Sequence, residues 1–283
     1  MDPVALVAIV VGFLLYAVGL VKARRRGASW PVHRALGFCL LGLGSYAWIS
    51  FGFLGAYSVD LRWAFTTRIA LLIVVVPGFI SLGKPLALAR AATTESSVRK
   101  LDHFLSSWLI RLTGNAVFEA VFTFCLFLVF LTPFSGLVRE NIYAQWAITL
   151  FIPLIGLLTV LPIVEKTAQH SSFFVTVEFV LAFVALIFDA IPGILLRINE
   201  TVLDQIASPI GVLPDWFPTA LRDQQLSGDI LWFLAETLDV PILLILLIRW
   251  KRLDRKEAKS LDNLSDEEMD ALTQAHLREF HRR

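Results

Sequence analysis

Apolar residues in this chain come in continuous blocks of roughly 18 or more with few charges, close to the ~20 a helix needs to cross the ~30 Å hydrocarbon core of a bilayer. No other feature constrains the fold as much. A membrane strand would alternate apolar and polar residues over segments of about ten, and these blocks do not alternate. Hydrophobic residues make up 57% of the chain and charged residues 17%, against about 45–50% and about 25% in globular proteins. Mean hydropathy is +0.70. A soluble fold of 283 residues could not hide that much apolar surface.

The sequence therefore predicts an all-α polytopic membrane protein, a bundle of seven transmembrane helices within residues 1–250, followed by a basic tail over residues 251–283. The spans are placed at Pro3–Val21, Arg34–Gly55, Trp63–Leu82, Asn115–Leu137, Ala144–Val164, Phe173–Leu196 and Ile230–Ile248. Lys22, Arg24, Arg25 and Arg26 follow the first span and no basic segment precedes it. That is the reverse of a cleavable signal peptide, so the first span reads as a retained anchor with its N-terminus outside. The inner loops and tail then hold most of the 25 Lys and Arg residues, leaving Arg62, Arg68, Arg139, Arg197 and Arg222 in outer positions. This positive-inside bias gives the orientation N-terminus out, C-terminus in.

Two inner segments are amphipathic. In Val98–Leu112 the residues Leu101, Phe104, Leu105, Trp108, Leu109 and Leu112 recur at helical spacing, which predicts a helix in the headgroup plane. The tail carries Lys251, Arg252, Arg255, Lys256 and Lys259, a juxtamembrane cluster that attracts anionic lipids at the cytoplasmic face. Ser265 with Glu268 forms a capping box that opens a short helix with Leu272, His276 and Phe280, either solvated or a docking site for a partner. On the outer face, residues 197–229 contain Pro209, Pro214 and Pro218 beside Trp216-Phe217, which predicts an ordered loop or re-entrant turn.

Ionisable residues inside spans are costly and mark candidate sites. Here they are Arg68, Glu119, Glu178, Asp189, Glu236 and Asp239. Arg68, Asp189 and Glu236 each lie some 9–10 Å below the outer surface, at ~1.5 Å per residue. An intramembrane polar cluster of Arg68, Asp189, Glu236 and Asp239 is expected, with Arg68 as counter-charge. Its role is open between buried ion pairing and a proton, ion or partner site. Glu119 and Glu178 lie near inner span ends.

Several chemistries lack their residues. His33, His103, His170, His276 and His281 all fall in inner loops or the tail, so no pair suits a membrane haem. Met1 and Met269 are the only methionines, and Cys39 and Cys125 are isolated within apolar spans, the pattern of buried thiols. Span seven has no lysine, and no GxSxG, HExxH or Walker pattern occurs. No catalytic nucleophile, metal or cofactor is expected, and a net charge of +1 gives no reason to expect nucleic acid.

Four segments together resemble the polytopic CtaG-type cytochrome c oxidase assembly factors. Asp223-Gln224-Gln225-Leu226-Ser227-Gly228, followed by Ile230, Trp232 and Glu236, is similar to the family's DQQLGG motif at its last span, with Arg249-Trp250 and Asp254–Ala258 resembling its RW…DEREA exit. Gly193 with Glu200-Thr201-Val202-Leu203 resembles HAFxG…DTVL. Pro77 with Gly83-Lys84-Pro85-Leu86 resembles the family's PP…LGxPL turn, and Gly156 with Pro162 its GLLFWWP segment. Where the family carries His-x-x-x-His pairs, this chain has Phe65 and Ile69, then Ala144 and Ile148, and Asp189 replaces the histidine of HAFxG.

The resemblance implies a role in biogenesis of a haem-copper oxidase, and the missing histidines imply a member that does not deliver copper by the family's route. The expected function is a non-catalytic assembly or accessory protein in the bacterial plasma membrane, with oxidase subunits or a respiratory supercomplex as partner. Two alternatives stand beside it. One is copper delivery through a site built from Cys39, Cys125 and carboxylates, and the other is a small transporter or proton pathway through the buried carboxylates.

Overall fold

The computed structural model describes residues 2–108, 112, 116–165, 172–205, 216 and 218–262. Every regular element among the described residues is helical. Helix α1 spans Pro3–Arg25. Asp2 caps its start by accepting from the N–H groups of Val4 (3.0 Å) and Ala5 (3.2 Å). Its end is a Schellman turn: Gly27 takes a positive φ of 79°, its N–H donates to the Arg24 carbonyl, and that of Ala28 donates to the Ala23 carbonyl.

The second rod runs through α2 (Val32–Leu36), a π-helical stretch (Gly37–Leu43) and α3 (Gly44–Phe51), then restarts after Gly52 as α4 (Phe53–Tyr57). The third rod is α5 (Arg62–Ala70), a second π-helical stretch (Leu71–Val75) and α6 (Val76–Leu82). Its widening sits just ahead of Pro77, which has no N–H to return to the Ile73 carbonyl. Beyond Lys84, held at φ 47°, come α7 (Pro85–Ala92) and α8 (Glu95–Leu105).

Helix α8 begins three residues ahead of the expected Val98 and ends at Leu105; Trp108 and Leu112 are helical again beyond Ser106-Ser107, and residues 109–111 lie outside the described residues. Arg90 on α7 pairs with Asp102 on α8 at 3.0 Å, an exposed bridge between the two helices.

Helix α9 (Ala116–Leu128) continues as one 3-10 turn (Val129–Leu131) and meets α10 (Phe134–Glu140) at a bend of 83°. The fourth expected span is therefore broken, at Thr132-Pro133, where Thr132 is extended ahead of the proline as its ring requires. Helices α11 (Ile142–Glu165), α12 (Ser172–Ile198) and α13 (Ala220–Asp262) follow.

Among the described residues, five helices are long and apolar enough to cross a membrane, or six if the bent pair counts as one span, against the seven expected. The last expected span, Ile230–Ile248, lies inside the 43-residue α13, where some side chains lie outside the described residues. That helix begins ten residues earlier than expected, at Ala220, because Thr219 supplies a cap: its hydroxyl accepts from the Arg222 N–H.

Two apolar clusters hold the rods together. The larger joins Tyr46, Phe65, Ile69, Leu72, Phe127, Phe130, Ile152, Leu196 and Leu231. The smaller, toward the Arg25 end, joins Tyr16, Phe38, Leu43 and Leu88, and there the Tyr16 hydroxyl donates to the Gly83 carbonyl (2.9 Å).

At Gly156 helix α11 lies directly against the Ile73 carbonyl, to which Pro77 offers no N–H; a Cβ there would overlap that oxygen and stand 2.6 Å from Pro77 Cγ. Between helices in lipid, where no hydrophobic force drives association, such close approach is a main source of cohesion. Gly156→Ala is expected to force the rods apart and cost about 1–3 kcal/mol, read as a lower thermal midpoint of the detergent-solubilised protein.

Candidate functional site

Helix α5 starts beneath the surface, so the N–H groups of its first turn need partners from elsewhere in the chain. Asp223, in the first turn of α13, supplies them. Its carboxylate accepts from the backbone N–H of Arg62 (2.8 Å) and of Trp63 (3.1 Å), capping one helix from another. Burial pushes this carboxyl above the usual carboxylate range, while the two N–H groups and the guanidinium groups of Arg62 and Arg139 pull the other way.

The neighbouring Gln224 closes the next joint, its side-chain oxygen accepting from the Leu203 N–H (2.8 Å) and its amide donating to the Thr201 carbonyl (2.9 Å). Asp204 is thereby held between two guanidinium groups. It pairs with Arg62 at 2.7 Å and with Arg139 at 3.0 Å, and Arg62 also approaches Asp223 at 3.5 Å. Arg139, 2% exposed on the short α10, donates besides to the carbonyls of Val59 and Asp60. The quartet Arg62, Arg139, Asp204 and Asp223 balances its charges, which buried ions require. A cavity of about 20 Å³, room for about one water, lies among Arg62, Arg139, Asp204, Gln224, Ser135 and Ser227.

One turn past Asp223 and Gln224, α13 crosses α12 at a glycine pair. A Cβ on Gly193 would stand 2.9 Å from the Gly228 carbonyl, and one on Gly228 would stand 2.7 Å from the Arg197 nitrogen. Beside the crossing an open cleft of about 450 Å³ is lined by Phe53, Trp63, Trp216, Pro218, Leu226 and Ile230. Phe53 stacks on Trp63 with centroids 5.4 Å apart, making this a surface for apolar groups.

A second polar centre surrounds Arg68, which is 3% exposed. It donates to Gln145 (2.7 Å), Thr149 (2.6 Å) and Ser58 (3.1 Å), and its counter-charge is Asp2 at 3.3 Å. Thr149 also donates to Asp2 (2.6 Å), and Tyr46 donates to the Thr149 carbonyl (2.8 Å). Among the described residues, neither Asp189 nor Glu236 is a partner of Arg68. Asp189 is half-buried on α12, Glu236 is exposed on α13, and the side chains of Asp239, Glu119 and Glu178 lie outside the described residues.

Of the motif residues, Asp223, Gln224, Gly193, Gly228, Pro77 and Gly83 are buried at joints, Pro85 starts α7, and Gln225 is half-buried. Glu200 and Trp232 are exposed. Arg62, Arg139, Asp204, Asp2, Gln145 and Thr149 escaped the sequence reading. Asp204 follows directly on the Glu200–Leu203 motif, and Asp2-Pro3 is itself a helix-start signal. Cys39 is half-buried against the smaller cluster and Cys125 is exposed on α9. Among the described residues no three His, Cys, Asp or Glu side chains group closely enough to hold a metal.

The model of the cytochrome c oxidase caa3 assembly factor (Caa3_CtaG) matches residues 14–253. An uncharacterized protein of Mycobacterium bovis and one of Mycobacterium tuberculosis are each 27% identical to the chain over 94% of its length. The chain spans 42% of the length of these relatives. No solved structure matches.

Asp204→Ala would leave Arg62 and Arg139 buried without the carboxylate between them. The expected loss is about 3–5 kcal/mol, measured by thermal unfolding in detergent, and Arg139→Met in the same chain should restore part of it.

Proposed function

We propose a role that starts from one fact: the chain belongs to the cytochrome c oxidase caa3 assembly factor family. It acts as a non-catalytic assembly or accessory protein of a haem-copper oxidase, in a bacterial plasma membrane. It crosses that membrane seven times with its N-terminus outside. Its partners are oxidase subunits, alone or within a respiratory supercomplex, and its tail meets anionic lipid on the cytoplasmic side.

The observation that carries this reading is how the matching residues are used. Asp223, Gln224, Gly193 and Gly228 join helices, and Pro77 meets Gly156 at a further joint. These are the contacts of a scaffold that holds its shape while another protein is built against it. At the positions where the resemblance places histidines, Phe65 and Ile69 are 2% and 5% exposed within the apolar core and Ile148 packs against it. Packed hydrocarbon there supports a member that works by contact rather than by carrying copper.

Purification of the full chain in mild detergent should bring oxidase subunits with it, and deleting its gene should lower the amount of assembled oxidase. Absence from every respiratory complex, with oxidase levels unchanged, would sink the proposal. Metal analysis of the purified protein should find substoichiometric copper. One copper per chain would instead favour delivery through Cys39 and Cys125.

A further inference from the structure

Where α12 and α13 meet the membrane surface, their exposed charges do not balance. Arg197, near the end of α12, and Arg222, in the first turn of α13, share a single carboxylate: Asp229 stands 2.8 Å from Arg197 and 3.8 Å from Arg222. The three side chains are between 38% and 49% exposed. Two guanidinium groups against one carboxylate leave one positive charge over. The trio also stands at a particular height. The apolar stretch Phe179–Ile198 finishes beside Arg197, and the block Ile230–Ile248 begins beside Asp229. Hydrocarbon ends there, and lipid headgroups occupy the zone just beyond.

The aromatic cleft lies beside this trio. With 3.6 residues per turn, Arg222, Leu226 and Ile230 follow one another along one stripe of α13, so the cation stands one turn ahead of the two aliphatic side chains that line the cleft. Trp63, with Phe53 stacked on it, forms the facing wall, and Trp216 meets Tyr57 edge to face at 5.8 Å. Phe233, three residues past Ile230 and 66% exposed, carries the apolar stripe on toward the hydrocarbon. The volume of about 450 Å³ is within the range of ligand pockets, ~300–1,000 Å³. An unmatched cation at headgroup height, next to a slot for hydrocarbon, fits an amphiphile with an acidic head. A soluble anion would leave the cleft unused, and a lipid without net charge would leave the extra cation unmatched. We propose that this site binds one anionic phospholipid, its phosphate between Arg197 and Arg222 and one acyl chain in the cleft against Trp63 and Ile230. This inference does not rest on the oxidase reading.

Phosphatidylglycerol carrying a photoactivatable diazirine on one acyl chain, mixed into phosphatidylcholine nanodiscs that hold the full chain, tests it. After illumination, mass spectrometry should find the label on Leu226–Phe233 and beside Trp63. Added unlabelled phosphatidylglycerol should compete it away, whereas the same amount of phosphatidylcholine, or inorganic phosphate, should not. Arg222→Gln should cut labelling of the cleft about fivefold. Leu226→Trp, which fills the cleft and leaves the trio in place, should abolish it. Labelling of exposed α1 around Leu15 should stay unchanged in both variants. No label in the cleft, equal competition by phosphatidylcholine, or undiminished labelling in either variant overturns the proposal. Competition by inorganic phosphate would leave a simple anion site and overturn it as well.

Discussion

A helix that begins inside a protein must find partners for its first N–H groups, and the answer given at α5 organises much of the surrounding chain. Asp223 reaches across from α13 to take two of them. A carboxylate so deeply placed needs positive charge, which Arg62 provides; Arg62 in turn calls for Asp204, and Asp204 for Arg139. Arg139 also donates from one terminal nitrogen to the Val59 and Asp60 carbonyls of the connection leading into α5. The circuit closes on itself, so no member can be removed without leaving a buried charge or a bare backbone group.

Away from these charges the rods are joined by proximity. Gly193 and Gly228 let α12 and α13 touch backbone to backbone, and Gly156 seats α11 on the Ile73 carbonyl beside Pro77. Helix α1 shows the opposite case, being largely exposed along its length. It is tied at its start by Asp2 to Arg68 and Thr149, and lower down by the Tyr16 hydroxyl to Gly83. Polar ties at two heights hold a helix that apolar contact with lipid would leave free to turn.

Helical class and most span positions were legible in the sequence because they depend on apolar length, which can be counted. Breaks were harder to read. Pro133 stands inside an apolar stretch long enough to cross, and only the geometry reveals the 83° bend. The start of α13 was hidden behind Pro218, a residue that reads as loop but here lies just ahead of the Thr219 cap. Arg68 is buried, but depth along a helix says nothing of direction around it, so the sequence suggested Asp189 and Glu236 where Asp2 stands. The motif residues were recognisable, whereas their use as joints was not, since Asp223 and Arg62 are 161 positions apart in the chain.

The length of α13 has a mechanical consequence. A helix of 43 residues, roughly 65 Å along its path, is more than twice the thickness of a hydrocarbon core. Its tightest seat, at Gly228, lies near one end. The rod is then a lever with its fulcrum at that seat. A tilt too small to disturb the glycine contact becomes a sideways sweep of several ångströms at the far tip.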